Sequence, residues 1–218
     1  MKKKIKTPWP TKDAMRQIYE LHLWGGKEFD FYSGFGSHDE KIKQPYVDAV
    51  IDFFKSHHYQ LTVCDLGCGD FNIGKQLLKF TKHYIAIDIV DNLIERNKTL
   101  FKDDNLEFHC LDIVKAKLPK ANVVILRQVL QHLSNTEIQN IVKKLSRYKY
   151  LILTEHLPNG TFEANKEIIS GQGIRIKKNS GVNLLKAPFN LKIEEETRLT
   201  AINLGANKGV IVTTLYNL

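Results

Sequence analysis

Residues 61–80 read LTVCDLGCGDFNIGKQLLKF. A short apolar run closes on Asp65 and Leu66, the turn Gly67-Cys68-Gly69 follows, and NIGKQLLKF (72–80) begins at helical spacing. Apolar runs of this length bounded by glycine predict a buried strand, here feeding a turn and a helix. Glycine permits the sharp reversal and lets the backbone approach a ligand with no Cβ between them. In an open parallel sheet such a turn lies beyond the carboxyl end of its strand, where ligands gather.

The same alternation runs on downstream. Strands are predicted at YIAIDI (84–89), LEFHCLD (106–112), NVVILR (122–127) and YLILT (150–154), with helices at NLIERNKTLF (92–101) and NTEIQNIVKKLSRY (135–148). The last helix opens on SNTE (134–137), the spacing of a capping box. Continuous apolar strands between helices predict a parallel sheet covered on both faces. LKIEEETRL (191–199) and GVIVTTLYNL (209–218) add an antiparallel pair at its edge.

Upstream, TKDAMRQIYELHLW (11–24) carries Met15, Ile18, Tyr19, Leu21 and Leu23 on a rough helical face. WGGKEFDFYSGFGS (24–37) interrupts it with glycines and aromatics, and SHDE (37–40) offers another capping-box spacing before a helix bearing Tyr46, Val47, Val50, Ile51 and Phe54. Residues 155–190 lose the rhythm: the stretch is polar, with Gly160, Gly171, Gly173 and Gly181. Long irregular segments in compact domains are commonly functional. The economical division is one domain, with residues 1–60 as a helical cover and 61–218 as a core carrying a substrate-side insertion at 155–190.

With 218 residues, 43% of them hydrophobic, the chain has enough for a packed core and no apolar run of membrane-spanning length. MKKKIKTPWP is basic but leads into no apolar signal core, so a cytoplasmic location is expected. Cys64, Cys68 and Cys110 have no paired Cys/His set, and no cluster of acids reads as a metal site. The net charge of +8 comes from scattered lysines, clustered only at Lys2–Lys4, Lys143–Lys144 and Lys177–Lys178. No aromatics interleave a basic stripe, so a solvated surface is favoured over a nucleic-acid footprint.

Two adenosine-bearing ligands suit the turn: a dinucleotide and S-adenosylmethionine (SAM). A dinucleotide fingerprint asks for a third glycine at position 72, where Asn72 stands. Asp65 and Asp70 flank the turn, and carboxylates beside a pyrophosphate cost Coulomb energy. The same acids suit an ammonium and a sulfonium. Asp88, 21 residues beyond Gly67, can accept from both ribose hydroxyls.

VCDLGCGD, YIAIDI, FHCLDIVKAKLP and ANVVILRQVLQHLSNTEI together resemble, in order, the motifs of class I SAM-dependent methyltransferases. LWGG…YSGFGS and NKEI…GIRI…VNLLKAPF resemble a bacterial subgroup acting on small molecules or glycans. The resemblance implies an α/β, Rossmann-like fold: a mostly parallel seven-stranded sheet, helices on both faces and an N-terminal helical cover. It implies SAM as cofactor, S-adenosylhomocysteine as product, and Asp112 facing the adenine amino group. Asp65, Gly67, Cys68, Gly69, Asp88 with Ile89, Asp112 with Ile113, Arg127 and Gln128 become the candidate cofactor residues. Trp24, Ser33 and Gly34 join them as a lid. Asp70 departs from a frequent third glycine, and Asn122 from a frequent acid, leaving one anchor fewer near the methionine end.

Methyl transfer is an in-line displacement governed by alignment, and an oxygen or nitrogen nucleophile can need a base. His132 after the fourth strand, and Glu155 and His156 at the end of the fifth, are the candidate bases. Tyr32, Arg175 and Asn183 are candidate acceptor contacts. No N/D/S-P-P-Y/F/W stretch or Pro-Cys nucleophile supports methylation of DNA bases. The acceptor is read as a small molecule or a sugar hydroxyl, on a surface-glycan precursor for example. RNA methylation, a SAM-binding module without turnover, and a nicotinamide dehydrogenase stand as rivals.

Overall fold

The computed structural model describes residues 8–218. The Lys2–Lys4 cluster and the first residues of the cover lie outside that span. Helix α1 (Thr11–Glu20), the single turn α2 (Phe35–His38) and α3 (Glu40–Ser56) precede strand β1 (Thr62–Leu66). The core then runs α4 (Gly74–Leu77), β2 (His83–Asp88), α5 (Asp91–Leu100), β3 (Leu106–Cys110), β4 (Val123–Arg127), α6 (Asn135–Leu145) and β5 (Tyr150–Leu157). The short pair β6 (Glu163–Ala164) and β7 (Ser180–Gly181) lies inside the insertion, and β8 (Glu195–Asn203) and β9 (Val210–Asn217) close the chain.

Seven strands form one sheet in the order β3-β2-β1-β4-β5-β9-β8. β1 to β5 are mutually parallel, and β9 pairs antiparallel with both β5 and β8. Strand order reverses between β1 and β4, so a crevice opens above their carboxyl ends.

The two-residue period of the strands assigns alternate side chains to opposite layers. Val63, Val123, Ile125 and Ile152 meet Tyr46, Val50 and Phe54 of α3. Cys64, Leu66, Val124, Leu126, Leu151 and Leu153 meet Ile138, Ile141 and Leu145 of α6, with Leu184 and Phe189 from the insertion. Each fully buried aliphatic side chain contributes roughly 1.5–3 kcal/mol, so the parallel strands are apolar on both sides.

Helix α6 has its capping box: the Ser134 side chain accepts from the Glu137 amide, and the Glu137 carboxylate accepts from Ser134 N. SHDE behaves differently from its reading as a box. Asp39 caps α3 by accepting from Lys41 N at 2.8 Å, because Ser37 is spent inside α2, where its hydroxyl accepts from Arg127 at 3.1 Å. The expected helix over 72–80 is one α-turn and a 3-10 turn (78–80), since only a short link joins β1 to β2. Asn122 corrects the expectation attached to it. It lies at the amino end of β4, the pole opposite the crevice, where its Oδ1 accepts from Thr62 N at 2.9 Å.

Among the described residues no helix is long and apolar enough to cross a membrane, and no group of three or more His, Cys, Asp or Glu is arranged to hold a metal.

Candidate active site

Above the switch point the carboxyl ends of β1, β2 and β4, the loop after β3 and the N-terminal cover enclose a cavity of about 390 Å³. Its floor is the glycine turn. Gly67 and Gly69 have φ of +86° and +56°, a region that costs an L-residue roughly 1–2 kcal/mol. A Cβ on Gly67 would strike Val129, and one on Gly69 would strike the Ser33 hydroxyl. The turn is held from two sides. Gly69 N donates to Asp88 Oδ2 at 3.1 Å, and buried Asn97 of α5 donates to Gly69 O at 2.8 Å. Asn97 escaped the sequence reading, its only signal being an amide on the buried side of a polar helix.

Three carboxylates face the cavity. Asp65 accepts from Tyr84 Oη at 2.8 Å; burial pushes its pKa up to about 7, against the opposing pull of that bond and of Arg127. Asp88 is raised by burial while the Val90 and Gly69 amides oppose the shift. Both its oxygens take a backbone amide and each retains a lone pair for a ligand. Asp112 accepts from Val114 N at 2.9 Å and pairs with exposed Lys115 at 3.2 Å. Ile89 and Ile113, the residues following two of these acids, also line the wall.

Asp70 does not line the cavity. The flanking acid that the sequence aimed at the ligand turns instead to the cover. Its Oδ2 accepts from Ser33 N at 3.0 Å and lies 2.6 Å from His38 Nε2, while Oδ1 accepts from Asn72 N at 3.1 Å. Burial works against its charge, but the His38 bond and the two amides hold the carboxyl below the usual range.

The cover is fastened at several points. Asp70 N donates to Ser33 Oγ at 2.7 Å, Arg96 grips Asp30 at 2.7 and 2.9 Å, and Gln172 Nε2 donates to Leu23 O at 2.8 Å. Trp24 crosses Tyr19 edge-on with ring centres 5.5 Å apart and lies 5.1 Å from the His132 ring. Trp24, Ser33 and Gly34 line the cavity; Tyr32 does not, stacking on Phe29 and lying 4.4 Å from the His38 ring.

At the β4 end, half-buried Arg127 lies over the Tyr46 ring at 4.8 Å and donates to Gly36 O and Ser37 Oγ. Gln128 follows at φ +56°, a rare conformation for a side-chain-bearing residue, so the chain leaves β4 sharply toward the cavity. His132 lines the same end. Its Nδ1 is 3.1 Å from Gly171 O, its Nε2 is 3.2 Å from Gln131 Nε2, and burial lowers its pKa to about 4. The ring is therefore neutral at physiological pH. The Gly171 carbonyl accepts from Nδ1–H, which leaves the lone pair on Nε2, where the Gln131 amide donates to it.

The other candidates lie off the cavity. Glu155 is buried, both its oxygens lack hydrogen-bond partners, and burial raises its pKa to about 8 despite nearby Arg175. His156 Nε2 is engaged by Lys208 O at 2.6 Å. Arg175, only 1% exposed, donates to Leu133 O and Asn135 Oδ1, both at 2.8 Å, and to Lys166 O at 2.9 Å. It clips the insertion to the turn that carries Gln131 and His132 rather than facing an acceptor. Asn183 accepts from Leu185 N and donates its own amide to Asn165, serving the insertion's fold. Cys64 and Cys68 are buried, with thiol pKa values raised by burial; Cys110 is exposed.

The seven-stranded sheet order defines a Rossmann-like fold, on which solved methyltransferase structures superpose. Residues 63–148 match the family model described as "Methyltransferase domain". N-methyltransferase NodS from Bradyrhizobium japonicum WM9, in complex with S-adenosyl-L-homocysteine, superposes with a TM-score of 0.65. It is 12% identical, over 94% of this chain and 99% of that one. Malonyl-[acyl-carrier protein] O-methyltransferase of Acetivibrio thermocellus is 29% identical over 121 residues, 53% of this chain and 40% of the relative. Phosphoethanolamine N-methyltransferase 1 of Triticum aestivum is 24% identical over 115 residues, 50% of this chain and 22% of the relative. The chain thus spans less than half the length of these two curated relatives.

Proposed function

We propose that this protein binds SAM in the cavity and catalyses methyl transfer to a small-molecule acceptor, with a sugar hydroxyl, as on a surface-glycan precursor, the finer form of that reading. The charge of the wall carries the proposal. Among the described residues Asp65, Asp88 and Asp112 face the cavity against one cation, Arg127, which suits a phosphate-free ligand with ammonium and sulfonium charges and opposes a pyrophosphate. SAM, when bound, supplies an electrophilic methyl carbon on a sulfonium, and the sulfur keeps the electron pair of the broken C–S bond.

In this reading Asp88 holds the ribose hydroxyls, Asp112 the adenine amino group, and Asp65 with Arg127 the zwitterionic methionine end. The glycine turn lets the backbone pass beneath them, and the described part of the cover, residues 8–60, acts as a lid with Trp24 excluding water. The insertion 155–190 walls the acceptor end through Gln172 and Ile174. His132 Nε2 is the candidate acceptor of the proton released as the new bond forms. The Glu155 and His156 alternatives find less support, since neither lines the cavity.

Calorimetric titration with S-adenosylhomocysteine and with NAD tests the cofactor: tight binding of the first and none of the second is expected. Binding of NAD alone refutes the proposal. His132→Ala that keeps S-adenosylhomocysteine affinity and full turnover removes His132 from the chemistry.

A further inference from the structure

The chain has 32 lysines and arginines, yet among the described residues Arg127 is the only one on the cavity wall. Arg127 is also committed, to the lid and, in the reading above, to the methionine end of the donor. Its guanidinium bonds Gly36 O and Ser37 Oγ beneath the lid and stacks on Tyr46. Three carboxylates share the same wall, so an anion entering beside the donor would meet like charge with no free cation among the described wall residues to receive it.

What remains at the β4 end is neutral. Gln128 and Gln172 each bring an amide, able both to donate and to accept. Gln172 uses one N–H on Leu23 O, which leaves its carbonyl oxygen for a ligand; the Gln128 oxygen meets Arg127 at 3.4 Å, which leaves the amide nitrogen. Ring surface comes from Trp24 and from Phe35, 57% exposed at the rim. His132 lies half-buried beside Trp24, and desolvation of its imidazole keeps it uncharged. Amides beside flat apolar faces match a ring that carries hydroxyls, since hydroxyls both give and take hydrogen bonds while the ring faces pack on aromatics.

Resting on the methyltransferase reading above, we infer that the acceptor presents a neutral hydroxylated ring to the cavity. Acceptors with a phosphate or carboxylate beside the reacting atom, RNA among them, are rejected. The basic surface that gives the chain its net charge of +8 takes no part in acceptor choice.

The test uses the full chain loaded with S-adenosylhomocysteine and ligand-observed NMR titration of matched pairs. Methyl β-D-glucopyranoside is set against glucose 1-phosphate and glucuronate, 4-methylphenol against 4-hydroxybenzoate, and uridine against its 5′-monophosphate. At least one neutral ring should bind ten-fold or more tightly than its anionic counterparts. An anionic member binding as well as its neutral mate, or no neutral ring binding to a chain that holds S-adenosylhomocysteine, overturns the inference and leaves the methyltransferase reading standing. Failure to bind S-adenosylhomocysteine in calorimetry overturns both. Gln172→Lys, at an exposed loop position, should raise affinity for glucose 1-phosphate at least five-fold; no change counts against the inference.

Discussion

Asp88→Asn is the sharpest perturbation of the proposed cofactor site. The carboxylate accepts Gly69 N through one oxygen and Val90 N through the other, both at 3.1 Å, and each oxygen keeps a lone pair. Asparagine preserves the shape but has one acceptor oxygen; its NH2 must face either a backbone N–H or a ribose hydroxyl. A hydrogen bond to a charged group contributes about 1.5–3 kcal/mol. Loss of one ribose bond therefore weakens S-adenosylhomocysteine by roughly 10- to 150-fold, at about 1.4 kcal/mol per factor of ten. The assay is calorimetric titration of wild type and variant, with circular dichroism and thermal melting confirming that the variant is folded. A folded Asp88→Asn protein whose affinity stays within about two-fold of wild type would refute the assignment of the ribose to Asp88.

Asp70→Asn should weaken the same ligand less and mainly by speeding its dissociation in stopped-flow, because Asp70 fastens the lid and does not line the cavity. Gly67→Ala forces a Cβ against Val129 at φ +86°. Strain of about 1–2 kcal/mol and overpacking of about 1–3 kcal/mol should lower Tm by roughly 4–20 °C, at about 2–4 °C per kcal/mol. Arg175→Ala strips the buried clip of its bonds to Lys166, Leu133 and Asn135 and should cost about 3–5 kcal/mol, seen as a denaturant midpoint shift with unchanged m. Glu155 has its pKa raised to about 8 by burial, so the folded state binds more protons than the unfolded chain between about pH 4.5 and 8. Stability from this group is present at low pH and falls as pH rises through that window. Glu155→Gln should melt with wild type at pH 4.5 and above it at pH 8; the reverse order in pH-dependent melts would show that Arg175 more than compensates the buried charge.

Much of the layout was legible because periodicity and glycine placement are local properties. The five parallel strands lie where apolar runs predicted them, within a few residues at either end, and α6 starts at the capping box that Ser134 and Glu137 spelled out. Side-chain direction was not legible. Asp65 and Asp70 flank the same turn, yet one faces the cavity and the other the lid, since Ser33 and His38 arrive from a segment more than thirty residues away. Arg175 reads in sequence as an acceptor contact in the irregular segment, yet it is among the most buried side chains, because carbonyls of the 130–133 turn converge on it. Glu155 and His156 end the fifth strand as read, but β9 runs alongside β5 and the insertion covers it, taking both away from the cavity.

By itself, then, the sequence determined a parallel sheet, a glycine turn at its carboxyl edge and acids at the ends of the first three strands, all consequences of spacing along one chain. DLGCGD already favoured a phosphate-free adenosyl ligand. Only the tertiary structure decided which acids face the cavity, how the lid is fastened, and that the described residues of an otherwise basic chain bring a single arginine to the cavity wall. Those depend on contacts between residues far apart in sequence, and on burial, which turns the same side chain into a ligand contact, a clip or a neutral wall.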